Sequence, residues 1–162
     1  MPTTSLEQVN NFVEKLQEAW INDVPGVTIP YFKELEGSTK QRIHNDGQDS
    51  DGQTIGMKNE RKGKYSTGYA KRKAKIVGDA RLYPINLQLR GDLIRKFTTG
   101  TEAGKPTLKF QTQEAANIAA YNEQNFKTDI YRPSTQQMDD AKEVLEIGIR
   151  DFLQDTIKTI LI

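Results

Sequence analysis

Asp46, Asp49 and Asp51 stand together in Asp46-Gly47-Gln48-Asp49-Ser50-Asp51-Gly52, and clustered carboxylates are what a calcium loop or a metal-assisted hydrolase needs. The EF-hand pattern asks for oxygen ligands at its first, third and fifth positions and glycine at its sixth. Aligned on Gly52, the first position falls on Gly47, so the segment reads as a hydrated acidic turn. His44 is the single imidazole, which leaves no multi-histidine zinc site, and a Ser–His–Asp arrangement would have to draw on it. It reads as a solvated loop residue. Gly100-Thr101-Glu102-Ala103-Gly104-Lys105 has three residues between its glycines where a phosphate loop has four, and Pro106 follows the lysine where Ser or Thr belongs. It reads as a turn. With no cysteine, disulfides, zinc–thiolate sites, iron–sulfur clusters and thiol nucleophiles all drop out, which fits a reducing cytosol. The expectation is a chain that is not an enzyme, with no catalytic residue, no metal ligand and no cofactor.

The strongest chemical signal is basic. Lys58, Arg61, Lys62, Lys64, Lys71, Arg72, Lys73 and Lys75 put eight cations into residues 57–75 against Glu60 alone, with Tyr65 and Tyr69 interleaved. Such density suits phosphate backbones, with two aromatics for stacking on bases. It suits better a solvated segment or one that pairs with an acidic protein surface, and this chain carries such a surface itself. Residues 1–40 hold 3 basic and 6 acidic side chains, 41–80 hold 9 and 5, 81–110 hold 6 and 2, and 111–162 hold 5 and 9. Acidic ends flank a basic middle although the net charge is only +1. In a neighbouring copy the acidic helices offer partners for the basic segment.

The elements that must position these residues follow from apolar spacing. Leu6, Val9, Phe12, Val13, Leu16, Ala19 and Trp20 recur every three or four residues and predict a helix over 5–22, capped by Ser5 and stopped at Val24-Pro25-Gly26. Residues 27–32 have strand composition, which Pro30 demotes to an edge strand or an irregular extended segment. From 36 to 80, seven glycines punctuate a polar stretch with few apolar anchors, which predicts a long flexible loop or hairpin that works by meeting a partner. Ile85, Leu87 and Leu89 alternate in an extended segment, and Leu93, Ile94 and Phe97 suggest two turns of helix that Thr98-Thr99-Gly100 closes. Leu87, Leu89, Leu93, Ile94 and Phe97 are expected to anchor the loop's exit on the core. Residues 107–111 and 117–121 look like strands, although the Ala-rich part of the second also suits a short helix. Pro133, Ser134 and Gln137 announce a last helix, whose apolar face runs from Met138 to Ile160.

At roughly 150 residues per domain, 162 residues predict a single domain. Leu, Ile, Val and Phe supply 37 of them, just above the roughly 20% below which charged chains stay disordered. No apolar run approaches the roughly 20 residues of a membrane span, and Met-Pro-Thr-Thr-Ser does not resemble a secretory signal, so a soluble, unprocessed protein with no membrane partner is expected. The expected fold is α+β. A small, largely antiparallel sheet from 27–32, 83–90, 107–111 and 117–121 is packed by the N- and C-terminal helices, and 36–80 projects from it.

The order of these features resembles a family. A leading amphipathic helix, Asp46-Gly47-Gln48-Asp49-Ser50-Asp51-Gly52-Gln53-Thr54-Ile55-Gly56, Tyr65 and Tyr69 followed by cations at 71–75, Ile85-Asn86-Leu87-Gln88-Leu89-Arg90-Gly91-Asp92-Leu93 and a closing helix are similar to the tail-completion, or virion-morphogenesis, proteins of tailed bacteriophages. The likeness covers residues 43–121 directly and the terminal helices by position. It implies a structural virion protein, a subunit of a homo-oligomeric ring at the head–tail junction (neck or tail terminator). That ring joins the connector or adaptor to the tail tube or sheath, with DNA passing through its lumen without sequence-specific contact. It implies assembly in the host cytoplasm and residence in the virion. The alternative from the residues alone is a nucleic-acid-binding module using 57–75.

Overall fold

The computed structural model describes residues 6–60, 62–79, 81–87 and 92–161. In chain order they form helix α1 (Leu6–Gln41), a π-helical turn (Arg42–Asp46), α2 (Thr67–Val77), the one-turn α3 (Asp92–Arg95), strands β1 (Phe97–Glu102) and β2 (Lys105–Phe110), α4 (Gln113–Phe126) and α5 (Thr135–Leu161). The class is α+β, with a two-stranded antiparallel sheet between the N- and C-terminal helices.

The amphipathic start of α1 was legible, but the helix does not stop at Val24-Pro25-Gly26. It continues through Pro25 and Pro30 to Gln41, so the expected edge strand at 27–32 is helical. Proline in a helix interior typically costs about 3 kcal/mol. Packing on α5 offsets that cost. Trp20 meets Phe152 edge-on with ring centroids 5.2 Å apart, Gly148 faces Val27, and Arg42 bonds Gln137, so the two helices run antiparallel along most of α5. A Cβ on Gly148 would sit 3.1 Å from the Val27 carbonyl oxygen, so the absence of a side chain there sets how closely the helices approach.

Of the four expected strands, the one at 107–111 forms, as β2. Its partner β1 takes Thr98-Thr99-Gly100, the residues expected to close a helix, in a register from Phe97↔Phe110 to Glu102↔Lys105. Ala103 and Gly104, with φ of 49° and 76°, make the two-residue turn, which twists in the sense that antiparallel strands require. Residues 117–121 lie in α4, because Ala115 and Ala119 fall on one helical face and are buried, and Thr112 caps the helix by accepting from the Ala115 N–H. Residues 83–87 are irregular, and 88–90 lie outside the described residues. An isolated two-stranded hairpin is marginal in water. This one is braced on α1, where a Glu36 carboxylate oxygen accepts the Thr99 N–H at 2.7 Å. Burial pushes the Glu36 carboxyl up, but the bonds from Lys40 and Thr99 outweigh it and hold the group below its ordinary value.

The expected flexible loop over 36–80 is the largest correction. Its first residues finish α1 and the π-turn, 47–60 and 62–66 follow as turns and irregular backbone, and α2 takes up 67–77. Ile43 and Ile55, few as such anchors are, are fully buried in the core with Ile85, Ile94, Phe97, Phe126, Ile130 and Tyr131. Glycine supplies corners here rather than mobility. Gly47 ends the π-turn at φ 63°, and a Cβ there would lie 2.7 Å from the Ile85 carbonyl oxygen and 2.8 Å from Pro84. The acidic turn is likewise ordered, around one carboxylate, while Asp46, Asp51 and Gly52 stay exposed to solvent as expected. Asp49 is buried and accepts the Asp51 and Gln53 N–H groups on one oxygen and the Thr128 hydroxyl on the other. His44, expected to be solvated, is half-buried in the π-turn, where burial and then Lys40 and Lys73 lower its pKa.

Arg42 binds these pieces together from the buried end of α1. Its guanidinium donates to the carbonyls of Gln48 at 2.9 Å, Ile130 at 2.9 Å and Arg132 at 2.8 Å, and to the Gln137 side chain at 3.0 Å. Gln137 also accepts the Ser134 N–H, while the Ser134 hydroxyl accepts the Gln137 N–H, so the capping box expected at the start of α5 is present and Arg42 is bonded to it.

Gly47→Ala meets both a left-handed backbone and a filled space, and should lower stability by at least about 1–2 kcal/mol. Gly37→Ala, in α1 with nothing within 4 Å of the new Cβ, should raise it by up to about 1 kcal/mol. Arg42→Met strands three carbonyls and should cost about 3 kcal/mol or more. Urea unfolding followed by circular dichroism measures all three.

Candidate interaction surface

The basic segment folds into two faces with different chemistry. Ser66 starts α2 by accepting the Tyr69 N–H at 3.2 Å, and Gly78 ends it in the left-handed region with its N–H on the Ala74 carbonyl. Between these caps, Ala70 and Lys73 turn inward, while Lys71, Arg72 and Lys75 are exposed.

Lys73 has no exposed surface. Its ammonium donates to Asp79 at 2.7 Å and to the Asn86 side-chain oxygen at 2.8 Å, and lies 5.0 Å from the Tyr65 ring centroid. Arg81 closes on the same Asp79 carboxylate through its side chain and backbone N–H, and together Arg81 and Lys73 hold that carboxyl well below the usual range. Tyr65 is also committed to the fold. Its hydroxyl accepts the Leu87 N–H at 2.8 Å and the Asn86 N–H at 3.2 Å, its ring stacks on Tyr69 with centroids 4.7 Å apart, and burial raises its pKa well above that of a free phenol. Lys73 and Tyr65, expected to meet a partner, therefore hold α2 to the 81–87 segment.

The remaining expected contact residues are placed as follows. Lys58, Lys62 and Lys64 are exposed on the turns before α2, and Arg61 lies outside the described residues. Tyr69, Lys58 and Lys64 line one wall of a cleft of about 630 Å³, and Tyr121, Asn125 and Lys127 of α4 and its C-cap line the other. Of the expected anchors, Ile94 and Phe97 are in the core, Leu87 and Leu93 pack against it, and Leu89 lies outside the described residues.

Opposite in charge is the α1–α5 pair. Each helix carries six acidic and three basic residues, a net charge of −3 apiece. Along the pair, Leu6, Val9, Val13, Ile21, Leu153, Ile157 and Leu161 are exposed. A groove of about 450 Å³ runs between the helices, with Val27, Gly148 and Phe152 on its floor and Asp23, Asp151 and Asp155 among its lining. Sequence reading missed this groove because ending α1 at residue 22 put Asp23 and Val27 outside the helix. The signal was available in Val144, Ile147, Gly148, Asp151, Phe152, Asp155 and Thr156, which recur at three- and four-residue spacing.

Among the described residues, no group of three or more His, Asp or Glu side chains could hold a metal ion, and no helix is long and apolar enough to cross a membrane. No family model matches the chain, and no curated protein or solved structure matches it.

Asp79→Ala leaves a buried ammonium without its counter-ion and should cost about 3 kcal/mol, whereas the same change on a Lys73→Met background should cost under about 1 kcal/mol. Equal costs in the two backgrounds would refute the coupling. Because the folded carboxyl titrates below its unfolded value of about 3.9, this contribution is present above that pH and lost as pH falls through the folded pKa. In acid unfolding below about pH 4, Asp79→Asn should flatten that dependence.

Proposed function

We propose that this protein is a structural subunit that completes its burial by packing on copies of itself, and that the assembly is a ring at the head–tail junction of a tailed phage. On this reading it has no catalytic role. It joins the connector or adaptor to the tail tube or sheath around the DNA channel, and it resides in the virion after assembly in the host cytoplasm.

The observation that carries the reading is the separation of charge into two surfaces of one chain. An acidic helix pair with exposed apolar side chains lies on one, and a helix bearing Lys71, Arg72 and Lys75 on the other. A monomer gains nothing from uncovered Leu6, Ile21 and Leu161, which are 77%, 73% and 72% exposed. Unlike surfaces on one chain favour head-to-tail contacts, and these close into a ring when the rotation between copies allows. The resemblance of the motif order to that of the tail-completion proteins is what suggests the station in the particle.

The 630 Å³ cleft favours a second reading, a nucleic-acid-binding module. Lys58, Lys64 and Lys127 would meet phosphates there, and Tyr69 and Tyr121 would stack on bases.

Electron microscopy of the purified protein, alone and in particles, should show rings with a central channel. A protein that stays monomeric at high concentration and binds DNA, with a log–log salt slope of about −0.9 per neutralised phosphate, would replace the ring with the second reading.

A further inference from the structure

Resting on the ring reading, we infer that α2 of one copy docks lengthwise into the groove between α1 and α5 of the next. The two surfaces match in length, charge and apolar content. The groove follows α5 from Val144 to Thr156, about 18 Å at 1.5 Å per residue, and α2 with its 11 residues spans about 16 Å. The groove's rim carries Asp23, Asp151 and Asp155, and the outer face of α2 carries Lys71, Arg72 and Lys75 with no acid in the helix. Ile76, 36% exposed and one turn beyond Arg72 on that outer face, has the apolar floor formed by Val27, Gly148 and Phe152 to bury against.

Each side is built to present its surface. On α2, both caps and the Lys73–Asp79–Asn86 cluster fix the helix from its inner face, so little order remains to be gained on docking. On the other copy, Gly148 lets α1 and α5 approach closely at Val27, which fixes the groove's floor. The surfaces are unlike, so the contact is heterologous: a copy uses α2 toward one neighbour and its groove toward the other. A third helix on the α1–α5 pair also makes a three-helix layer, which buries more apolar surface than a pair can.

The test is a charge exchange read by sedimentation velocity on the full-length protein. Lys71→Glu/Arg72→Glu/Lys75→Glu should weaken self-association at least about tenfold, and Asp23→Lys/Asp151→Lys/Asp155→Lys should do the same, since each places like charges across the contact. Mixing the two variants should restore association, because every α2 then faces a groove of opposite sign. Thermal unfolding confirms that both variants fold. As a second readout on the unaltered protein, carbodiimide should join Lys71 or Lys75 to Asp151 or Asp155 between isotopically distinct copies. Rings that survive both reversals, or that cross-link elsewhere only, would overturn the docking and leave the ring standing. An unaltered protein that remains monomeric and yields no such cross-link would overturn both.

Discussion

The Arg42 guanidinium is the constraint on which the rest of the fold depends. Four acceptors from three separate parts of the chain converge on it, and one belongs to the capping box that starts α5. Burial lowers its pKa, with Asp49 and then Asp51 acting in the opposite sense, and a guanidinium stays charged even so. A buried charge with its donors satisfied by carbonyls fixes orientation more than it adds stability, because each bond must first offset desolvation. What Arg42 fixes is where α1 ends relative to where α5 begins. From that junction the two helices leave as an antiparallel pair, and the groove between them inherits its geometry.

Lys73 does the corresponding job for α2. Lys73 lies in the sequence among the exposed Lys71, Arg72 and Lys75, yet it organises the fold, and those three stay at the surface. This division gives the basic region its character: a rigid helix with a committed inner face and an uncommitted outer one. The acidic helix pair has the reverse composition, with a sparse apolar floor and carboxylates at its margins. A chain with so few large apolar residues covers its core around Ile43, Ile55 and Ile85 fully and leaves the helix pair thinly covered.

Elements whose signal is local were legible in the sequence. The amphipathic start of α1, the Ser134–Gln137 box, the turn around Ala103-Gly104 and the β2 strand all follow from a few neighbouring residues. Reading failed where distant packing overrides local preference. Pro25 and Pro30 are stop signals on their own, and only α5 lying alongside makes a helix through them worth its cost. The glycines of 47–63 look like mobility when counted, but Gly47 is a corner pressed against Pro84 and Ile85, a contact made 37 residues further on. Lys73 could not be told from Lys71 or Lys75 by composition, since what separates them is the helix phase that the caps at Ser66 and Gly78 impose. The α+β class survived these errors because the terminal helices and one hairpin suffice to define it.

Three of the four acceptors of Arg42 belong to residues 88 to 95 positions further along the chain. On the ribosome, the guanidinium is therefore made long before the groups that will receive it, and the core around Arg42 cannot close until translation has passed Gln137. Contacts this remote in sequence make closure slow compared with the growth of either helix. The groove, which needs α5 beside α1, is the last surface to exist, so a growing polypeptide displays its cationic helix before it has any acidic cradle to offer. The basic and the acidic surface of one chain thus come into being in a fixed order, the cationic one first.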